Sequence, residues 1–244
     1  MKTLIFDIET SPNLAHVWGK WQQDVIAYET EWKLLCYAWK WLGEKEVFTA
    51  GQDQFDEETL VLRLHQLFDE ADVIVAHNGN SFDIKKSNAK FIEYGLTPPS
   101  SYKSIDTKLV AKRYFMFNSN KLEDLGNILG VGHKMQTGGF ALWLGCMSGD
   151  KKAWAKMLKY NIQDVVLLEK IYLKLRPWME NHPSVALYDG RPEACPKCGH
   201  KHLQSRGYRY TKVAKYQRFQ CTSPKCGGWS QARKAEKTEV NFVN

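Results

Sequence analysis

Residues 3–10 read Thr3-Leu4-Ile5-Phe6-Asp7-Ile8-Glu9-Thr10. Apolar side chains around two acids in so short a run describe a buried strand. Residues two apart on a strand share a face, so Asp7 and Glu9 point the same way. Working outward, residues 32–41 and 46–50 read as two more strands, joined by the hairpin turn Leu42-Gly43-Glu44-Lys45. Residues 56–70 form a helix with Leu60, Leu64, Leu67 and Phe68 on one face. Val73-Ile74-Val75-Ala76 is a central strand, Asn78-Gly79-Asn80-Ser81 a loop, and Phe82 to Tyr94 a helix ended by Gly95. Ser104-Ile105-Asp106-Thr107 predicts a short strand feeding a helix to about residue 115, with Asp106 as its cap. Asn120 is expected to cap a further helix ending at Gly130. Residues 131–149 are rich in Gly and carry no clear period. The longest helix is expected over about Lys151–Arg176, stopped by Pro177, with a linker over 181–192. This order implies an α/β fold: a mixed sheet flanked by helices, with its site at the strand ends.

Composition narrows the class. The 244 residues are 43% hydrophobic and 13% aromatic, with nine Trp, enough for a packed core. The apolar N-terminal run is broken by Asp7 and Glu9, so it reads as neither a signal peptide nor a membrane span. A cytoplasmic protein is expected, or one of the host cytoplasm if phage-encoded, with no membrane partner. Net charge is +7, unevenly spread. Residues 191–244 hold twelve Lys and Arg against three Glu, a balance of +9, which leaves −2 for residues 1–190. A basic appendage on a near-neutral body points to a polyanion, most often nucleic acid.

Three separated blocks carry acids: Asp7-Ile8-Glu9-Thr10, Asn78-Gly79-Asn80-Ser81-Phe82-Asp83 and Tyr160-Asn161-Ile162-Gln163-Asp164. Tyr160 and Asp164 are four apart on the long helix and share a face. Leu158, Ile162, Val165 and Leu168 surround them, and an unpaired carboxylate among apolar groups is costly unless a cation sits beside it. Singly, each acid has a plainer reading. Asp83 suits the first turn of a helix, and Asp164 can be exposed. Together, Asp-x-Glu, Asn-x3-Phe-Asp and Tyr-x3-Asp resemble the three motifs of the DEDD superfamily of 3′–5′ exonucleases. The third block resembles its tyrosine branch, which includes polymerase proofreading domains. The resemblance spans roughly residues 1–178.

The resemblance implies an RNase H-like exonuclease domain over residues 1–180 and hydrolysis of the terminal phosphodiester with two metals. Asp7, Glu9, Asp83 and Asp164 would hold two Mg²⁺ or Mn²⁺ ions about 3.5–4 Å apart. Oxygen ligands suit such ions. Tyr160 would orient water rather than act as base, since an unperturbed tyrosine has a pKa of about 10. Thr10 and Asn78 would contact the terminal nucleotide, Phe82 would pack beneath the site, and His77 is read as structural.

The C-terminal segment holds Cys195-Pro-Lys-Cys198-Gly199 and Cys221-Thr-Ser-Pro-Lys-Cys226-Gly227. Each pair suits a tight turn that presents two thiolates to one Zn²⁺, with Gly letting the backbone bend. The 22 residues between the pairs suit a hairpin such as Tyr208–Tyr210 against Gln217–Gln220, so residues 193–244 resemble a zinc ribbon with a basic tail. His200 or His202 remain alternative ligands. Cys36 and Cys146 read as buried core thiols. Arg206, Arg209, Lys212, Lys215 and Arg218, interleaved with Tyr208, Tyr210, Tyr216, Phe219 and Trp229, suit phosphate contact and base stacking. The same aromatics can equally fill the ribbon's core.

The expected function is a metal-dependent 3′–5′ exonuclease on single-stranded or 3′-ended DNA, releasing nucleoside monophosphates. The ribbon would grip nucleic acid or a replication or repair protein. A 3′–5′ exoribonuclease with the same site and a non-catalytic nucleic-acid-binding adaptor are the alternatives.

Overall fold

The computed structural model describes residues 1–21 and 24–236, so Lys237 and the rest of the expected basic tail lie outside the described residues. The chain forms two compact units. Of the described residues, one comprises those within 2–112 and 117–171, the other Met1, 113–116 and 172–236.

The first unit is built on a five-stranded sheet. Its strands are β1 (Thr3–Thr10), β4 (Leu34–Trp41), β5 (Phe48–Gly51), β6 (Val73–Ala76) and β7 (Lys103–Asp106), in the order β5-β4-β1-β6-β7. β1 lies at the centre, antiparallel to β4 and parallel to β6, which gives the expected mixed sheet. The alternation in β1 sorts its side chains. Leu4, Phe6 and Ile8 enter a core with Leu60, Val61, Leu64 and Phe68 of α1 (Glu57–Glu70) and Phe91 of α2 (Asp83–Glu93). That leaves Asp7 and Glu9 on the opposite face. There, Leu35 and Cys36 of β4 pack with Leu142 and Cys146 of α5 (Ala141–Met147) and Trp154, Met157 and Tyr160 of α6 (Lys151–Leu175). A bulge between Glu9 and Thr10 skips Leu35 in the pairing with β4 and fixes the register at the acidic end.

Local signals account for two of the helix ends. Asp56 caps α1 by accepting from Thr59 N at 2.7 Å. Pro177 follows the end of α6, in a 3₁₀ turn over Arg176–Trp178. Asp164 is 1% exposed, so its plainer reading as an exposed acid fails. Two expectations need correction. Phe82 is 38% exposed and does not pack beneath the acids; α2 begins one residue later, at Asp83. Asn120 does not cap α4 (Leu122–Ile128). Lys121 holds that position without a side-chain bond, and Asn120 Oδ1 is buried without a partner. A short exposed hairpin of β2 (Leu14–His16) and β3 (Ala27–Thr30) was not readable, because its strands bury no repeating face.

The second unit carries α7 (Val185–Tyr188) and a three-stranded sheet, β10-β9-β8. β8 (Leu203–Tyr210) and β9 (Lys215–Cys221) form a hairpin in which Tyr208 faces Gln217, and β10 (Trp229–Gln231) pairs with β9. Among the described residues, no helix is long and apolar enough to cross a membrane.

Candidate active site

β1 supplies Asp7 and Glu9, and α6 supplies Asp164. One ligand oxygen from each lies within 4.8 Å of the other two. Asp83 does not belong to this three-carboxylate cluster. It is buried at the start of α2, where its Oδ1 accepts from Ile8 N at 3.2 Å and ties α2 to β1. Asn161, on α6 between Tyr160 and Asp164, donates to Asp7 Oδ2 at 2.8 Å and to the Asp7 carbonyl at 3.2 Å. The helix and the strand are thus joined at the acid itself.

So many acids in one dry place resist ionisation. Burial raises the Asp7 carboxyl well above its ordinary range, and the charges of Asp83, Glu9 and Asp164 add to the effect. Burial and the Asp164 charge push Glu9 up to about 8, and burial pushes Asp83 up to about 7. Asp164 is also raised by burial, with the Lys134 ammonium pulling the other way. Lys134 Nζ stands 2.6 Å from Asp164 Oδ2 and donates to the Tyr160 hydroxyl at 2.7 Å. Asp164 Oδ1 is buried without a hydrogen-bond partner. A cluster of hard oxygen donors short of positive charge, with one buried oxygen left over, fits a divalent cation.

Tyr160 is held far above the ordinary phenol range by burial and by the Asp164 and Glu9 charges, so it keeps its proton. Lys134 escaped the sequence reading because it sits in the Gly-rich stretch, far in sequence from Tyr160 and Asp164, with no periodicity to place it.

The loop after β6 is shaped for close approach. Asn78 adopts a left-handed backbone with φ of 67°, and a Cβ on Gly79 would sit 2.4 Å from that of Ala76. Asp106 does more than cap α3 (Thr107–Tyr114). It accepts from Lys108 N and Leu109 N, and also from Asn78 N and Asn80 N at 3.0 and 3.2 Å. One buried carboxylate therefore holds the helix start and the loop that precedes Asp83. Lys108 Nζ donates to Asn78 Oδ1 at 3.2 Å, and Thr10 is half-buried at the end of β1. His77 lies 2.9 Å from Thr107 Oγ1 and donates to the Asn120 carbonyl at 3.0 Å. Burial lowers it to about 4, so it is neutral and serves the frame.

The raised acids carry a sign for stability. Glu9 folded titrates near 8 and unfolded near 4.5. Between those values the folded protein binds more protons, so its stability falls as pH rises. His77, lowered to about 4, works in the opposite sense below 6.5. Comparing the wild type with Glu9→Gln cancels that histidine contribution. Without Mg²⁺ or Mn²⁺, Glu9→Gln is expected to be more stable at pH 8 by roughly 1–3 kcal/mol. The two proteins should converge toward pH 4.5. Urea denaturation across this range checks it; a difference that does not grow with pH contradicts the account.

In the second unit, one sulfur from each of Cys195, Cys198, Cys221 and Cys226 lies within 4.8 Å of the other three. Cys195–Cys226 and Cys198–Cys221 sulfur separations are 4.0 and 3.6 Å, and no disulfide links them. A tetrahedral ion with metal–sulfur bonds of about 2.3 Å has sulfur–sulfur edges of about 3.8 Å, so the four thiols fit zinc. Gly199 and Gly227 take φ of 73° and 61°, as the turn after each pair requires. His200 and His202 are not in the cluster. Cys36 and Cys146 are buried and free, with Cys36 raised by burial.

The five basic residues expected to meet substrate are not equally placed. Arg206, Arg209, Lys212 and Arg218 are exposed. Lys215 is paired with Glu236 at 3.1 Å and lies over the Tyr208 ring.

Comparison with known proteins agrees with the fold. A family model described as the RNase_H superfamily matches residues 4–176. A 67-residue stretch, 28% of this chain, is 37% identical to a DNA polymerase III PolC-type of Ureaplasma parvum, of which it covers 4%. The structure of a family B DNA polymerase from the hyperthermophilic archaeon Pyrobaculum calidifontis superposes with a TM-score of 0.51 at 18% identity. That match covers 72% of this chain and 25% of the polymerase.

Proposed function

The chain belongs to the RNase H superfamily, and on that premise we propose that it is a metal-dependent 3′–5′ exonuclease of the tyrosine-containing branch, acting on DNA. We assign the nuclease to residues 1–180 and a zinc ribbon to residues 193–244, with 181–192 between them. One observation carries the reading: Asp7, Glu9 and Asp164 converge from a strand and a helix, with a buried Asp164 oxygen left unpartnered. Asp7, Glu9 and Asp164, with Asp83 beside them, would hold two Mg²⁺ or Mn²⁺. Such ions, when bound, lower the pKa of water and offset charge on the phosphodiester.

The remaining roles fall to the chain's own groups. Tyr160 keeps its hydroxyl proton and so orients water by hydrogen bonding instead of accepting a proton. Asn161 fixes the direction of the Asp7 carboxylate. The Asn78–Asn80 loop, pinned by Asp106, offers the Asn78 side chain to the terminal nucleotide, and the end of β1 offers Thr10. The four cysteines would take one Zn²⁺, and the exposed cations of the ribbon would hold the strand.

The test is a digestion panel of DNA and RNA oligomers, single- and double-stranded, blocked at either end. Mononucleotide release from free 3′ ends of DNA under Mg²⁺ or Mn²⁺ is expected, stopped by a 3′ block and untouched by a 5′ block. Release from RNA alone moves the substrate to RNA. No release under any divalent metal removes the nuclease reading.

A further inference from the structure

We propose that a cleft in the second unit takes an unstacked base and its adjoining phosphate from single-stranded DNA. This rests on the nucleic-acid reading above and gives it a specific contact. The cleft has a volume of about 650 Å³, within the range of small-ligand sites.

Two indoles line it, and both are exposed: Trp178 at 60% and Trp229 at 46%. An exposed indole leaves a large flat apolar ring in water, and two lining one cleft make a surface suited to a stacked partner. Their settings are fixed. Phe115 meets the Trp178 ring edge-on at 5.2 Å, and the Arg218 guanidinium lies 5.3 Å from the centre of the Trp229 ring.

Cations share the cleft. Arg209 Nη1 donates to Gln231 Oε1 at 3.0 Å, and Arg218 Nη2 to the Arg206 carbonyl at 3.3 Å. These bonds hold each fork in place while most of its five donors stay available. Among the described residues neither arginine is in a salt bridge. Lys197 is different. Its ammonium donates to the Pro177 carbonyl and faces the Cys195 and Cys226 sulfurs, so its charge is committed to the cysteine cluster. Glu180, also on the cleft, disfavours a wholly anionic occupant and suits the donor edge of a base. An acidic peptide would use the arginines but leave the indoles idle. A nucleotide uses both, by stacking and by charge-assisted hydrogen bonds.

The experiment titrates full-length, zinc-loaded protein, without Mg²⁺ or Mn²⁺, against a fluorescein-labelled oligothymidylate of about eight nucleotides. Anisotropy and intrinsic tryptophan quenching are the readouts. Trp178→Ala and Trp229→Ala should each weaken binding roughly 5- to 100-fold, while Trp229→Phe keeps most of the affinity. Arg218→Gln should weaken binding several-fold and reduce the slope of log affinity against log salt by about 1. Zinc content reports whether each variant keeps its fold. If Trp229→Ala loses zinc, Trp178→Ala decides, because it lies outside the ribbon strands. Tryptophan variants that bind like the wild type overturn the proposal, even if the arginine variant weakens, because charge alone then suffices. The nuclease reading is scored separately by adding Mn²⁺. Binding that depends on the tryptophans without digestion keeps the cleft and removes the nuclease. Digestion with unaltered tryptophan variants does the reverse.

Discussion

Asp7→Asn is expected to cut metal-dependent nucleotide release about a thousandfold or more, while making the metal-free protein harder to unfold. The first effect follows from position. Asp7 is one of three acids with oxygens within 4.8 Å of one another, and a metal's electrostatic help at a phosphodiester amounts to several kcal/mol, about a decade of rate for each 1.4. The second follows from charge. Burial opposes ionisation of Asp7, and three neighbouring carboxylates deepen that opposition. An amide of the same shape removes both at once and leaves the Asn161 side chain a neighbour to bond. Initial rates with excess Mn²⁺ and thermal melts in chelator at pH 8 measure the pair. A variant that loses activity and also melts earlier would mean that Asp7 holds the fold, and that the rate loss is structural.

Replacing Cys195 and Cys226 with Ser is expected to abolish zinc binding and unfold the three-stranded sheet. The strands β8 and β9 bury little beyond Cys221, so apolar burial alone gives the hairpin few contacts. Structural zinc in small modules contributes on the order of 10 kcal/mol of binding free energy, which here becomes folding free energy. Limited proteolysis should cut the double variant within residues 193–236 at protease levels that leave the wild type whole. Metal analysis should fall from one zinc per chain to none. Wild-type protein purified without zinc, or a variant as resistant as its parent, contradicts this.

Much of the frame was legible because its signals are local. The period of two in residues 3–10 put Asp7 and Glu9 on one face, and the apolar density of that run marked it as a buried strand. The four-residue step from Tyr160 to Asp164 placed both on one side of the long helix, and the paired cysteine spacings placed four sulfurs together. What escaped depends on chain segments meeting across distance. Lys134 reaches Asp164 from a loop that has no pattern of its own. Asp106 was readable as a cap, but its bonds to Asn78 and Asn80 exist only because β6 and β7 lie side by side. Phe82, placed beneath the site by the resemblance, is exposed, and the helix begins after it.

The bulge between Glu9 and Thr10 sets what kinds of mutation this site can survive. A substitution in β1 changes one side chain and leaves its neighbours facing as before. An insertion or deletion of one residue ahead of the bulge exchanges the two faces of the strand. Phe6 or Ile8 would then face Asp164 of α6, and carboxylates would enter the packing against Phe68. No single compensating change elsewhere restores that frame. Length variation among descendants of this chain should therefore gather in the β2–β3 hairpin and in residues 131–140, while β1 keeps its eight-residue length and drifts in identity only outside Asp7 and Glu9.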